Sequence, residues 1–189
     1  SLITIILLIL LCFAITDFIN PSNKRLHEQL YKLAFFITFF LFSIKYYYGA
    51  DIVVYSNIYT EIKEPWNFMS GLKTVDGYFE PGFLFFVSLV KWLGIAFWGM
   101  TLIVSIIYSY AIYKLFKLIP SYRIVALFIL VLLDYNLIFA TYRQCLAVSF
   151  FILMYFSYID KKYIKMLLYA LVTILMHKSG IVYVIPVLF

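Results

Sequence analysis

Four groups of polar residues interrupt an otherwise apolar chain, and each is equipped for chemistry. Asp51, Tyr55 and Tyr59 recur at four-residue spacing, which puts a carboxylate and two phenols on one face of a helix that Pro65 would stop. Such a face suits a hydroxyl-rich ligand; the plainer reading is an interfacial aromatic belt. In Gly77-Tyr78-Phe79-Glu80-Pro81-Gly82-Phe83, proline fits a first helical turn and the acidic residue before it complements the helix N-terminus. Glu80 is thus a cap by default, or else a general base or sugar ligand at a membrane-surface helix start. Tyr142-Arg143-Gln144 opens an apolar stretch, so a planar guanidinium and the free N–H groups of a helix end converge on one point, which suits phosphate oxygens. The alternative for Arg143 is snorkelling to headgroups or pairing with Asp134. His177-Lys178-Ser179-Gly180 joins two apolar stretches and offers a proton carrier near neutral pH, or simply a polar cap. A serine hydrolase built on His177 and Ser179 would need a GxSxG-type elbow, which is absent.

The chain that must position these groups has 189 residues, of which 66% are hydrophobic and 13% charged, with a mean hydropathy of +1.00. Globular proteins average about 25% charged residues, so a water-soluble globule is excluded and an integral membrane protein is expected. Aromatic abundance is weaker evidence, because an A/T-rich codon bias also favours Phe and Tyr. Cys12 and Cys145 both lie in apolar stretches without a CxxC spacing or a histidine pair, which supports neither a disulfide nor a metal site. No nucleotide-phosphate loop or nucleic-acid module is visible, and no cofactor is expected. Both ends fall inside apolar runs, which reads as a single polytopic domain over residues 1–189 truncated at both ends. The first run lacks the basic flank and cleavage site of a signal peptide.

A helix crosses the hydrocarbon with about 20 apolar residues, fewer when its ends snorkel. The candidates are residues 2–16, 33–48, 97–116, 124–139, 145–159, 164–176 and the start of another from 181, about six to seven transmembrane helices in an all-α fold. Residues 83–93 are about half a membrane thick and contain Lys91. Positive residues in short loops stay cytoplasmic, and parity then decides the status of that segment. If it does not cross, Lys24, Arg25, Lys32, Lys114, Lys117, Arg123, Lys161, Lys162 and Lys165 share the cytoplasmic side, nine of the fifteen basic residues. If it crosses, six of them sit on the wrong face. Residues 81–94 are therefore expected to form a short outer-surface or re-entrant helix, and residues 49–82 an external loop. All four polar groups then share the outer face, and the net charge of +6 reflects cytoplasmic anchoring, not nucleic-acid binding.

In order, Gly49-x-Asp51 with Tyr55 and Tyr59, Glu80-Pro81-Gly82-Phe83, Arg143-Gln144-x-x-Ala147 and His177-x-Ser179 resemble the EpsG family of Wzy-like bacterial polysaccharide polymerases. The resemblance runs from about Gly49 to Ser179, with an apolar helix between successive motifs. It implies a multi-pass enzyme of the bacterial inner membrane with an external active face. Such an enzyme joins exopolysaccharide, capsule or O-antigen repeat units held on undecaprenyl diphosphate. Expected partners are the undecaprenyl-diphosphate-linked oligosaccharide, membrane lipids, a flippase and a chain-length regulator. Arg143 would stabilise the leaving diphosphate. Glu80, His177 and Asp51 are the groups available to the acceptor hydroxyl, ranked with Asp51 last. Tyr55, Tyr59 and Tyr78 would face the sugar, and Gln144 and Ser179 would orient neighbours. Members usually continue through further helices. Rival classes are a membrane acyltransferase using His177 as base, and a lipid-linked oligosaccharide flippase or transporter. Transporters would show internal repeats and broken midplane helices, neither of which is evident.

Overall fold

The computed structural model describes residues 2–19, 24–43, 51–62, 73–74, 77–119, 121–133 and 141–188. The described residues form nine helices: α1 (Leu2–Ile19), α2 (Lys24–Ser43), α3 (Asp51–Glu61), α4 (Pro81–Trp92), α5 (Phe97–Phe116), α6 (Arg123–Leu133), α7 (Tyr142–Ile159), α8 (Tyr163–Met176) and α9 (Gly180–Leu188). Between α3 and α4 lies a hairpin of two-residue strands, β1 (Lys73–Thr74) and β2 (Gly77–Tyr78), paired antiparallel with Lys73 opposite Tyr78. The all-α expectation holds apart from that hairpin.

Helices α5 and α7 pack together and form the spine; α8 lies along α7, α2 against α5, and α1 against α6 and α2. Their buried faces carry Met100, Val104, Tyr108 and Ala111 on α5 and Cys145, Leu146 and Ile152 on α7, a helical repeat facing one core. Several hydroxyls in this interior bond to backbone carbonyls. Ser105 donates to the Phe42 and Thr101 carbonyls at 2.9 Å each, Ser149 to Cys145 at 2.6 Å, and Thr173 to Tyr169 at 2.8 Å. Helical Ser and Thr can satisfy themselves this way where water is absent.

The outward faces are also apolar. Ile5, Leu8, Leu11, Ile15 and Ile19 on α1 and Ile164, Leu167, Leu168 and Leu171 on α8 are exposed at helical spacing. A soluble protein rarely leaves such stripes bare, whereas lipid covers them without penalty. By length and composition, however, only α5 and α7 among the described helices are clear membrane spans. The six to seven expected spans are thus not established as such, for identifiable reasons. Helix α2 is long enough, but Lys24, Arg25, Glu28 and Lys32 charge its first turns. Helices α6 and α8 are short at 11 and 14 residues, and 134–140, the expected end of one span, lies outside the described residues together with Asp134. Within the expected 81–94 a separate short helix does form, α4, with 12 residues over Pro81–Trp92.

Candidate functional site

Glu80 sits at the junction of hairpin and helix, with Pro81 opening α4. Glu80 takes the N-cap position as expected, but its side chain makes no capping hydrogen bond. The carboxylate instead receives three donors from the other half of the chain. Arg143 Nη1 donates to Oε2 at 2.7 Å, while His177 Nδ1 at 2.7 Å and the Lys178 backbone N–H at 3.1 Å both donate to Oε1. Glu80 is only 6% exposed, so these are desolvated, charge-assisted contacts. Burial pushes its pKa up, but the Lys178 N–H, His177 and Arg143 outweigh burial and hold it below the ordinary carboxylate value.

Two glycines make this convergence possible. A Cβ on Gly82 would lie 2.7 Å from the Leu175 carbonyl oxygen, so only glycine lets the first turn of α4 touch the last turn of α8. That contact brings Glu80 under the α8–α9 turn. There His177 adopts extended backbone and ends α8, and the Gly180 N–H closes the turn on the His177 carbonyl at 2.8 Å. A Cβ on Gly180 would lie 2.5 Å from the Thr173 carbonyl oxygen.

Arg143 enters from the first turn of α7, as its place in the sequence suggests. Its guanidinium lies 4.5 Å from the centroid of the Phe79 ring, and its Nε is buried without a hydrogen-bond partner. Asp134 is outside the described residues, so Glu80 is its described partner. Tyr55 is buried beneath, stacked on Tyr142 at 4.9 Å and tilted against Phe83 at 5.3 Å. Its hydroxyl is electrostatically coupled to Arg143 but short of a well-formed hydrogen bond. Burial raises the phenol's pKa to about 12, with Arg143 opposing the rise.

The other expected residues are distributed around this centre. Asp51 starts α3 one turn before Tyr55, is half-buried, and is coupled to the Tyr55 phenol without a direct link to Glu80. Tyr59 faces away. Its hydroxyl donates to the Ile95 carbonyl at 2.5 Å, and Lys91 Nζ binds the Tyr59 and Thr60 carbonyls at 2.8 Å each, so this end of α3 is a structural clamp. Tyr78 belongs to β2, and its side chain lies outside the described residues. Gln144 donates to the Tyr183 hydroxyl at 3.4 Å, tying α7 to α9. Ser179 holds a buried hydroxyl without a partner in the same turn as His177. No group of three metal-ligating side chains occurs among the described residues.

Sequence reasoning gave no role to Phe79, to the Lys178 backbone or to Gly82. Each had a local signal: an aromatic beside the carboxylate, a turn after the histidine, and a glycine in a first helical turn.

Arg143 and His177, from two separated motifs, thus meet on the buried carboxylate of a third, Glu80, and Tyr55 from a fourth lies beside Arg143. No curated protein and no solved structure matches the chain. The family profile described as EpsG family matches residues 29–189, which span every helix that builds this centre, and the chain belongs to the EpsG family.

Proposed function

We propose that the protein polymerises polysaccharide at the outer face of the bacterial inner membrane, moving a glycan from a polyprenyl diphosphate to a sugar hydroxyl of a second lipid-linked unit. The family supports the reaction class, and the Glu80 junction carries the rest. A carboxylate that takes Nδ1–H of a histidine fixes the tautomer in which Nε2 is the proton acceptor. In this reading His177 is the base and Glu80 the group that orients it, because a carboxylate stabilised by three donors is a weak base itself.

The acceptor hydroxyl gives its proton to His177 Nε2 as its oxygen bonds to the anomeric carbon. The bond from that carbon to the diphosphate oxygen breaks, and the diphosphate departs with the electron pair. Arg143 is positioned for that developing charge, with an unused Nε–H and a fixed orientation set by Glu80 and Phe79. Tyr55, Asp51 and Ser179 supply polar atoms around the sugar. The exposed apolar stripes support six to seven spans, with α4 at the outer surface. The lipid-linked oligosaccharide is the substrate, and a flippase and a chain-length regulator are the proteins that would supply it and limit its product.

The test is to delete the full-length gene in its host, restore wild type or Arg143→Ala at matched expression, and size the lipid-linked and surface glycans. Single repeat units accumulating with the variant support transfer assisted by Arg143. An unchanged ladder in the deletion itself rules out the polymerase and favours an acyltransferase that decorates the glycan through His177. Units left on the inner leaflet identify a flippase.

A further inference from the structure

Helix α5 runs about 30 Å from the Ile95 turn near the Glu80 side to the connection before α6. At that far end, which the distribution of basic residues makes cytoplasmic, the C-terminus of α1 and the starts of α2 and α6 enclose a cavity of about 470 Å³. Asp17, Lys24, His27, Glu28, Tyr31 and Arg123 line it, and its size is that of a small-molecule site. Nothing in the polymerase chemistry uses these residues.

The cavity is built and incompletely satisfied. Asp17 is 6% exposed; its Oδ1 accepts from His27 Nδ1 at 2.7 Å, but Oδ2 is buried with no partner. Tyr31, 2% exposed, likewise buries a hydroxyl with no partner. Arg123 is held in the wall by Glu28 at 3.0 Å and by the Ile119 carbonyl at 2.8 Å, with its guanidinium 5.7 Å from the Tyr31 ring centroid. Lys24 is exposed at the rim. A buried carboxylate oxygen left bare is costly, so the deep end calls for a hydrogen-bond donor, best a cationic one. The rim calls for an anion. Ile15, Ile19 and Leu118 expose large apolar side chains at the same end, the surface against which acyl chains would lie.

We propose that this cavity holds the headgroup of a phospholipid bearing a primary ammonium, with its N–H groups on Asp17 Oδ2 and the Tyr31 hydroxyl and its phosphate between Lys24 and Arg123. A choline headgroup has no N–H to offer, and a glycerol headgroup has no cation to oppose Asp17. The site discriminates by amine chemistry and lies at headgroup depth only if the helices span as argued above.

The test uses the purified full-length protein, stripped of lipid and offered phosphatidylethanolamine, phosphatidylcholine or phosphatidylglycerol of equal chain length, with retention read by native mass spectrometry. Wild type should retain the ethanolamine lipid about tenfold over the other two, the value of one charge-assisted hydrogen bond. Asp17→Asn should erase that preference. Tyr31→Phe removes only a hydroxyl that bonds to nothing, so it should weaken retention severalfold with an unchanged melting temperature. Equal retention of all three lipids by wild type, or a preference that survives both substitutions, overturns the proposal. So does saturable binding of free phosphoethanolamine with no retained lipid, which would make the ligand a soluble one. Glycan length plays no part in this readout, so it fails or succeeds independently of the polymerase assignment.

Discussion

At the scale of single residues, Glu80 is the side chain on which the others depend. Its Oε1 orients His177 and its Oε2 holds Arg143, so Glu80→Gln removes the charge from both contacts at once. Polymerisation by this variant should fall by about 10²–10⁴-fold, the span of a general-base contribution, as read from the rate of ladder growth at matched expression. Arg143→Lys keeps charge but not the fork, and normal polymerisation by it would contradict a planar contact to phosphate. The carboxyl also carries a pH signature. Its folded pKa lies below the ordinary value of 4.5, so the stability it contributes is present above that value and is lost as pH falls through the folded pKa. Melting temperatures of wild type and Glu80→Gln should therefore differ near neutrality and converge in acid. The sequence made Glu80, Arg143 and His177 visible as polar residues at helix ends. It could not show that one carboxylate serves both partners, since these contacts span 63 and 97 residues.

At the scale of elements, hydropathy located the apolar middles and missed the polar ends. Residues 97–116 coincide with α5, but α7 begins at Tyr142, three residues before the expected 145, because Tyr142-Arg143-Gln144 reads as loop to a hydropathy scale while forming a first helical turn. Helix α2 likewise begins at Lys24 and not at 33. Close helix approach is equally invisible to such a scale. The α4–α8 contact rests on Gly82, where an added methyl meets backbone at 2.7 Å. Gly82→Ala should cost about 1–3 kcal/mol, the range for overpacking, and should lower both melting temperature and activity by prising Glu80 from His177. A Gly82→Ala protein of normal stability and activity would show that the two helices do not need this approach. Tyr59 is the opposite lesson. Its spacing with Asp51 and Tyr55 is helical, but four-residue steps drift around a helix, and its hydroxyl ends on Ile95 instead of the centre.

At the scale of the whole molecule, the apolar exterior and the family give the setting, and the sidedness can be measured. In a protein whose Cys12 and Cys145 are replaced, Lys178→Cys should react with an impermeant thiol reagent on intact cells, and Lys162→Cys only after permeabilisation. Labelling with the reverse pattern would invert the topology and move the Glu80 centre to the cytoplasm. Overall helicity and the apolar exterior were legible in the sequence, because apolar runs of about 15–20 residues are long enough for helices that are apolar on every face. The cavity at Asp17 and Tyr31 was not, since a lone acidic residue near a helix end and a tyrosine two turns into the next helix carry no pattern until α1, α2 and α6 pack.

The long reach of the Glu80 contacts also sets an order of events at the ribosome. All three donors follow the carboxylate by 63 to 98 residues, which at about 5–20 residues per second is a delay of seconds. Throughout that interval the nascent chain carries Glu80 without its counterion, and water must hold it. Arg143 arrives first and neutralises the charge; His177 and Lys178 follow only when α8 has been made and folded back across Gly82. The completed Glu80 junction is therefore among the last features this segment acquires during synthesis, and a chain halted between Arg143 and His177 holds a paired charge without the His177 contact that the proposed mechanism requires.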